Sequence, residues 1–105
     1  MGKKEFTKPL DSVGENRIRY KIVTQRGKII DVVAQYETLI EGKWVAVVRY
    51  DCAHGFFHRD LLSLGGKKTK EVITMQDLGN GLLFAEQDLK DRWEMYKRNF
   101  VRGKR

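Results

Sequence analysis

The chain has 105 residues, of which 41% are hydrophobic and 33% are charged. The hydrophobic fraction argues against a disordered chain, and the length fits one domain with a core of its own. Twenty-one Lys and Arg against fourteen Asp and Glu give a net charge of +7. This charge favours a polyanionic partner such as nucleic acid, a ribonucleoprotein or an acidic protein, or else indicates a well-solvated basic surface.

The first half of the chain predicts a β-meander. Residues 1–16 have no clear hydrophobic period, so we expect them to be loosely held. Alternating basic and apolar residues then mark a half-buried strand, and two β-rich runs follow it after Gly-containing turns. The three predicted strands cover residues 17–22, 29–40 and 44–51. We place the whole meander at residues 17–62.

The two turns, Arg26-Gly27-Lys28 and Glu41-Gly42-Lys43, predict the register of these strands. We treat both as three-residue loops with glycine in a left-handed conformation. The predicted neighbours are then Tyr20 with Ala34, Ile18 with Tyr36, Tyr36 with Val48, and Ala34 with Tyr50. This register brings the apolar residues of all three strands to one face, as a half-buried sheet requires.

The same register predicts the composition of the opposite face. Arg19, Gln35 and Arg49 share one cross-strand row. Around that row lie Arg17 beside Glu37, and Lys21 and Asp51 on either side of Val33. Arginines this close together are either separated by acids on a solvated surface or arranged to hold an anion.

The second half of the chain completes the fold. Residues 56–62 predict a fourth strand that pairs Asp51 with Phe56, places His58 across from Arg49 and turns Arg59 inward. Residues 71–75 fit either a short edge strand or one helical turn. Asn80 is a candidate N-cap for an amphipathic helix over residues 80–101, followed by a basic tail at 102–105. The predicted fold class is therefore α+β, a single domain with a four- to five-stranded antiparallel β-meander and a C-terminal amphipathic helix packed on one face.

The stretch Arg49–Asp60 contains both histidines, the one cysteine and two aspartates. One interpretation is acid/base catalysis on a phosphodiester, in which His54 and His58 transfer protons and Asp51 or Asp60 orients a histidine. A second is a metal site at Cys52, His54, His58 and Asp60, but this spacing matches no ligand pattern of known geometry, so we predict no metal and no cofactor. A third is structural, in which these residues cap a turn and hold the loop together.

The run Val47–Asp60 resembles a signature of short, uncharacterised prokaryotic and archaeal proteins, R-Y-D-x-A-H-G-x-x-H-R-D. More distantly, the hairpin followed by Arg-aromatic-Asp-x-Ala and histidines is similar to TumE-type toxins of toxin–antitoxin pairs. The resemblance covers about residues 36–66. It implies a compact protein with a polar site around Arg49, Asp51, His54, His58 and Asp60.

These observations favour a small basic protein that interacts with nucleic acid, RNA above all, with toxin-like, metal-independent RNA cleavage as one form of that function. The predicted catalytic residues are His54, His58, Asp51 and Asp60. The predicted nucleic-acid-binding residues are Arg19, Arg49, Arg59, Lys21, Lys67 and Lys68. The alternative is a non-catalytic accessory protein that binds RNA, a ribosome or an acidic protein, and a toxin role would add a cognate antitoxin as partner.

The expected location is the cytoplasm. A single cysteine excludes an internal disulfide. No apolar run approaches the about 20 residues of a membrane span, and the first residues lack the apolar centre of a signal peptide. We therefore expect no membrane partner.

Overall fold

The computed structural model describes residues 1–53, 56–75 and 77–103. One open antiparallel sheet contains six strands in chain order, and one helix follows them. The elements are β1 (Gly2–Pro9), β2 (Asn16–Gln25), β3 (Lys28–Ile40), β4 (Lys43–Ala53), β5 (Phe56–Leu62), β6 (Lys68–Ile73) and α1 (Leu78–Arg102). The predicted α+β meander with a C-terminal helix is confirmed, but the sheet has six strands rather than four or five.

The two additional strands form the edges of the sheet. The expectation of a loosely held segment at residues 1–16 is wrong for β1, which pairs with β2 from Gly2 opposite Thr24 to Pro9 opposite Arg17. All residues of β1 are exposed, so neither face of the strand selects apolar residues and its sequence shows no apolar alternation. At the other edge, β6 pairs with β5, which decides between the two interpretations of this segment in favour of a strand.

The predicted register of β2, β3 and β4 and the left-handed glycines of both turns are confirmed, but the predicted three-residue length of the turns is wrong. All four predicted pairs occur. Each turn has two residues with positive φ, Arg26 and Gly27 in the first and Glu41 and Gly42 in the second, as in type I′ hairpins. A register shift then follows in each hairpin, between Val23 and Thr24 and between Tyr36 and Glu37. Each bulge restores the pairing that a three-residue loop would have produced.

The helix begins at a different cap from the one that the sequence suggested. Asp77 is the N-cap, and its carboxylate accepts a hydrogen bond of 2.8 Å from the backbone N–H of Asn80. Asn80, the predicted cap, lies inside the first turn. At the other end Gly103, with φ of 72°, donates its N–H to the carbonyls of Asn99 and Phe100. The rest of the predicted basic tail, Lys104 and Arg105, lies outside the described residues.

Helix α1 packs on one face of the sheet, mainly against β3 and β4. The buried residues of the helix are four or seven positions apart and so lie on one face, as expected for the predicted amphipathic helix. The core between helix and sheet consists of Ile18, Tyr20, Val32, Ala34, Tyr36, Val47, Val48, Tyr50, Phe57, Ala85, Leu89, Tyr96 and Phe100. We call this face of the sheet the covered face and the opposite one the open face.

Candidate nucleic-acid interface

The open face has a row of polar residues that crosses all six strands. Strand alternation and the observed register place one residue of each strand in it. From β1 to β6 the row is Thr7, Arg19, Gln35, Arg49, Asp60 and Lys70. The predicted neighbours Arg19, Gln35 and Arg49 are therefore confirmed at its centre.

A continuous series of hydrogen bonds links the arginines of this face. Arg49 donates through Nε to Asp51 Oδ2 at 2.8 Å and through Nη1 to Gln35 Oε1 at 3.0 Å. Gln35 in turn donates to Glu37 Oε2 at 2.7 Å. Glu37 is buried and also accepts from Nε of two arginines, Arg17 at 2.8 Å and Arg19 at 3.2 Å.

These contacts fix both the charge state and the geometry of the network. Burial alone would raise the pKa of Glu37, but hydrogen bonds from Arg17 and Gln35 and the charges of Arg17 and Arg19 outweigh it and lower the pKa below its usual value. Because Glu37 stays ionised, it holds the two guanidinium groups in place. The side chains of Arg19 and Arg49 nevertheless remain 51% and 40% exposed, whereas that of Arg17 is 20% exposed.

The candidate catalytic residues lie at the end of this network and are largely covered. His58 is opposite Asp51 on the neighbouring strand, two positions from the predicted register, and Asp60 is opposite Arg49. Both residues are buried, and His58 is only 7% exposed. Asp60 Oδ2 is 3.9 Å from Lys68 Nζ, whereas its Oδ1 is buried without a hydrogen-bond partner in the described part of the chain. The structure therefore brings Asp51, His58 and Asp60 together, with His58 and Asp60 buried and Asp51 partly exposed.

The remaining candidate acid/base residue, His54, lies outside the described residues. Cys52 packs against the core, and its thiol donates to Asp31 Oδ1 at 3.2 Å. Burial, together with the nearby Asp31, raises the pKa of this thiol and keeps it protonated. Among residues 1–53, 56–75 and 77–103, no group of three or more His, Cys, Asp or Glu is placed to hold a metal ion.

Arg59, a predicted nucleic-acid-binding residue, lies on the other face of the sheet from the predicted arginines Arg19 and Arg49. Arg59 is opposite Tyr50 on the covered face, so its side chain lies between the sheet and α1. Its guanidinium donates two bonds of 3.2 Å to Glu71 and single bonds of 3.2 Å to the hydroxyls of Tyr50 and Tyr96, and it lies 3.6 Å from Asp88. Burial alone would lower the pKa of Arg59, but these partners raise it. This arginine is an internal cation with its donors in use.

The predicted lysines lie on or beside the open face, with Lys67 and Lys68 exposed and Lys21 partly exposed. Lys21 is beside Arg19 on the same strand and 3.4 Å from Asp31. Lys68 is opposite Leu62, with half of its side chain exposed. Lys67 lies in the connection between β5 and β6, where its backbone N–H bonds Ser63 Oγ at 3.1 Å. All three are positioned to add positive charge to this surface.

Two features of the open face were missed in the sequence. Lys70 ends the central row and has no ion-pair partner among the described residues. The alternation of β6 would have identified it if that segment had been assigned as a strand. Arg17 also stacks on the exposed indole of Trp44, with its guanidinium carbon 3.8 Å from the ring centroid. The two residues are far apart in sequence, and only the pairing of three strands brings them together.

Comparisons with known proteins identify the family of the chain without identifying an activity. No helix within the described residues is long and apolar enough to span a bilayer. A search of curated proteins and a search of solved structures found no match. A family model described as a domain of unknown function, DUF7718, matches residues 1–105, and the chain therefore belongs to the DUF7718 family.

Proposed function

We propose that this protein binds single-stranded RNA through the open face of its sheet and does not cleave it. One observation carries the proposal. Arg19 is bonded to the buried Glu37 while its side chain remains 51% exposed, and Arg49 in the same row remains 40% exposed, whereas His58, the candidate catalytic histidine within the described residues, is 7% exposed. Contact with phosphates needs accessible cations, and general acid/base catalysis needs an imidazole that reaches the substrate.

The shape of the open face supports a single strand rather than a duplex. Five inter-strand spacings of about 4.8 Å make the face about 24 Å wide. A sheet of this kind cannot enter the narrow major groove of A-form RNA, but it can support an extended strand along its surface. Trp44 adds an aromatic ring that is partly exposed and already stacks with Arg17, an arrangement that tolerates any base.

Fluorescence anisotropy with a labelled single-stranded RNA at several salt concentrations tests the proposal. The Arg19→Gln/Lys68→Gln protein removes two cations from the open face. We expect it to bind about tenfold more weakly. The slope of log K against log salt should be smaller in magnitude by about 1.4, because each phosphate contact contributes about 0.7 to that slope for single strands.

The matched control is Lys90→Gln/Arg92→Gln on the exposed side of α1. Both residues there also lie beside a carboxylate, and Lys90 is 50% exposed against 52% for Lys68. We expect the control to stay within twofold of the unsubstituted protein. Equal losses in the two double variants, or no binding at low salt, would contradict the proposal.

RNA cleavage is the second candidate, because the sheet brings Asp51, His58 and Asp60 together. Gel analysis of the same RNA after incubation, with and without EDTA, separates it from binding. We expect intact RNA in both cases. Products that form with EDTA present and are lost in a His58→Ala protein would replace simple binding by metal-independent cleavage, and a neighbouring antitoxin-like gene would support that outcome.

A further inference from the structure

A second surface lies on α1, on the other side of the molecule from the open face. Side chains of the C-terminal half of the helix surround a shallow, open groove of about 510 Å³. The groove is lined by Trp93, Glu94, Lys97, Arg98, Val101 and Arg102.

The cations of this groove differ from those elsewhere on the helix. One to two turns earlier, Lys90 lies 3.6 Å from Glu86 and Arg92 lies 3.6 Å from Asp88. Lys97, Arg98 and Arg102, by contrast, have no carboxylate within ion-pair distance in the part of the chain that the structure describes. Attraction to the helix dipole accounts for Arg102 only, because that effect falls off within the last turn.

The floor of the groove is apolar. Val101 is exposed although its side chain is apolar, and Trp93 is packed against the rim of the core. The Trp93 ring is edge-to-face with Tyr36, with centroids 6.1 Å apart. Because the core fixes this indole, it provides an apolar wall rather than a free platform on which a base could stack.

We infer that this groove binds an acidic, amphipathic segment of a partner protein, with carboxylates toward Lys97, Arg98 and Arg102 and one apolar side chain against Trp93 and Val101. The nine residue steps from Trp93 to Arg102 cover about 14 Å along the helix. An extended segment of four or five residues spans that length. This interaction uses a different surface from RNA binding and does not depend on it.

A fluorescein-labelled peptide with four acidic residues around one leucine is the probe, and its counterpart with Gln and Asn in place of the acids is the neutral control. At low salt we expect the acidic peptide to bind and the neutral one to bind at least fivefold more weakly. The Lys97→Gln/Arg98→Gln protein should lose about fivefold in affinity, because two accessible charges are removed. The Lys90→Gln/Arg92→Gln control should stay within twofold.

Two further variants change affinity in opposite directions. Glu94 is exposed and carries the one negative charge among the lining residues. Glu94→Gln should therefore tighten binding of the acidic peptide by about twofold, and Val101→Ser should weaken it by about twofold. All these residues lie at least partly on the surface, so we expect the variants to have the circular dichroism spectrum of the unsubstituted protein. An unchanged spectrum would show that a loss of binding does not come from unfolding.

Three results would overturn the inference. They are no binding of the acidic peptide, equal binding of the neutral peptide, and equal loss in the two double variants. The RNA of the proposed function provides one more test. If it displaces the peptide and its own affinity falls in Lys97→Gln/Arg98→Gln, the groove is a nucleic-acid surface and the assignment to an acidic protein segment is wrong.

Discussion

Arg49 and Arg59 lie on neighbouring strands and on opposite faces of the sheet. They differ in their partners and in how far their side chains are exposed. Arg49 is held by Asp51 and Gln35 and remains 40% exposed. Arg59 contacts two carboxylates and two tyrosine hydroxyls and is 17% exposed. The difference comes from the helix, which covers one face and leaves the other open. Burial, rather than residue type, therefore decides which cation can meet a partner.

The carboxylates differ between the two faces in the same way. On the covered face, Asp88 accepts hydrogen bonds from the hydroxyls of Tyr50 at 2.5 Å and Tyr96 at 2.6 Å. Burial and the bond to Asp88 raise the pKa of Tyr96 to about 12. On the open face, Glu37 bonds Arg17, which is 20% exposed, and Arg19, which is 51% exposed. Acids thus anchor the helix on one face and orient the arginines of a candidate binding surface on the other.

The largest expected effect is the difference in the free energy of unfolding between variants of the two arginines. Arg59→Gln should lower the free energy of unfolding by about 2 kcal/mol, because it leaves Glu71 without its cation and removes one of the two cations beside Asp88, the other being Arg92. Arg49→Gln should cost less than about 1 kcal/mol, because its ion pair is partly solvated. Urea unfolding followed by circular dichroism measures both. Equal losses would show that the two faces do not differ as described.

A smaller effect is expected where the helix approaches the covered face most closely. A methyl group added at Gly81 would lie 3.2–3.3 Å from the ring of Phe57, which is buried and stacked on Tyr50. Overpacking costs about 1–3 kcal/mol, against a gain of up to about 1 kcal/mol in helix propensity, so Gly81→Ala should be destabilising by about 1 kcal/mol. Gly65→Ala is the control, because nothing lies within 4 Å of its added methyl. A more stable Gly81→Ala protein would mean that the helix is not tightly docked.

The smallest expected effect is on how the free energy of unfolding depends on pH. Glu86 accepts hydrogen bonds from Tyr20 and Lys8, which lower its pKa, and Glu37 has its pKa lowered by its own partners, both from the usual 4.5. A carboxyl group whose pKa is lower in the folded state stabilises the fold at any pH above its unfolded-state pKa. This stabilisation is lost as the pH falls through the folded-state pKa. The unfolding free energy should therefore stay level down to about pH 5.5 and decrease below about pH 4.5. The decrease should be smaller in Glu37→Gln, and an unchanged decrease would exclude this role for Glu37.

Periodicity determined which face each central strand residue occupies. The apolar alternation of residues 17–22 and the long strand after it predicted the pairs of Tyr36 with Ile18 and Val48. The predicted pairing of β4 with β5 is shifted by two residues, and an even shift leaves every side chain on its own face. His58 therefore lies on the open face as predicted, but opposite Asp51 rather than Arg49.

The features that the sequence left undetermined depend on neighbours that are distant in the chain. Strand β1 is exposed along its whole length, so only pairing with β2 defines it as a strand. The two-residue turns and their compensating bulges give the same central register as longer loops, and an alternation pattern cannot distinguish the two. The contacts of Arg59 with Glu71 of β6 and Tyr96 of α1 also join residues that are distant in the chain. Sequence periodicity thus determined the faces of the sheet, and tertiary packing decided which charges remain accessible, because burial depends on which elements cover each face.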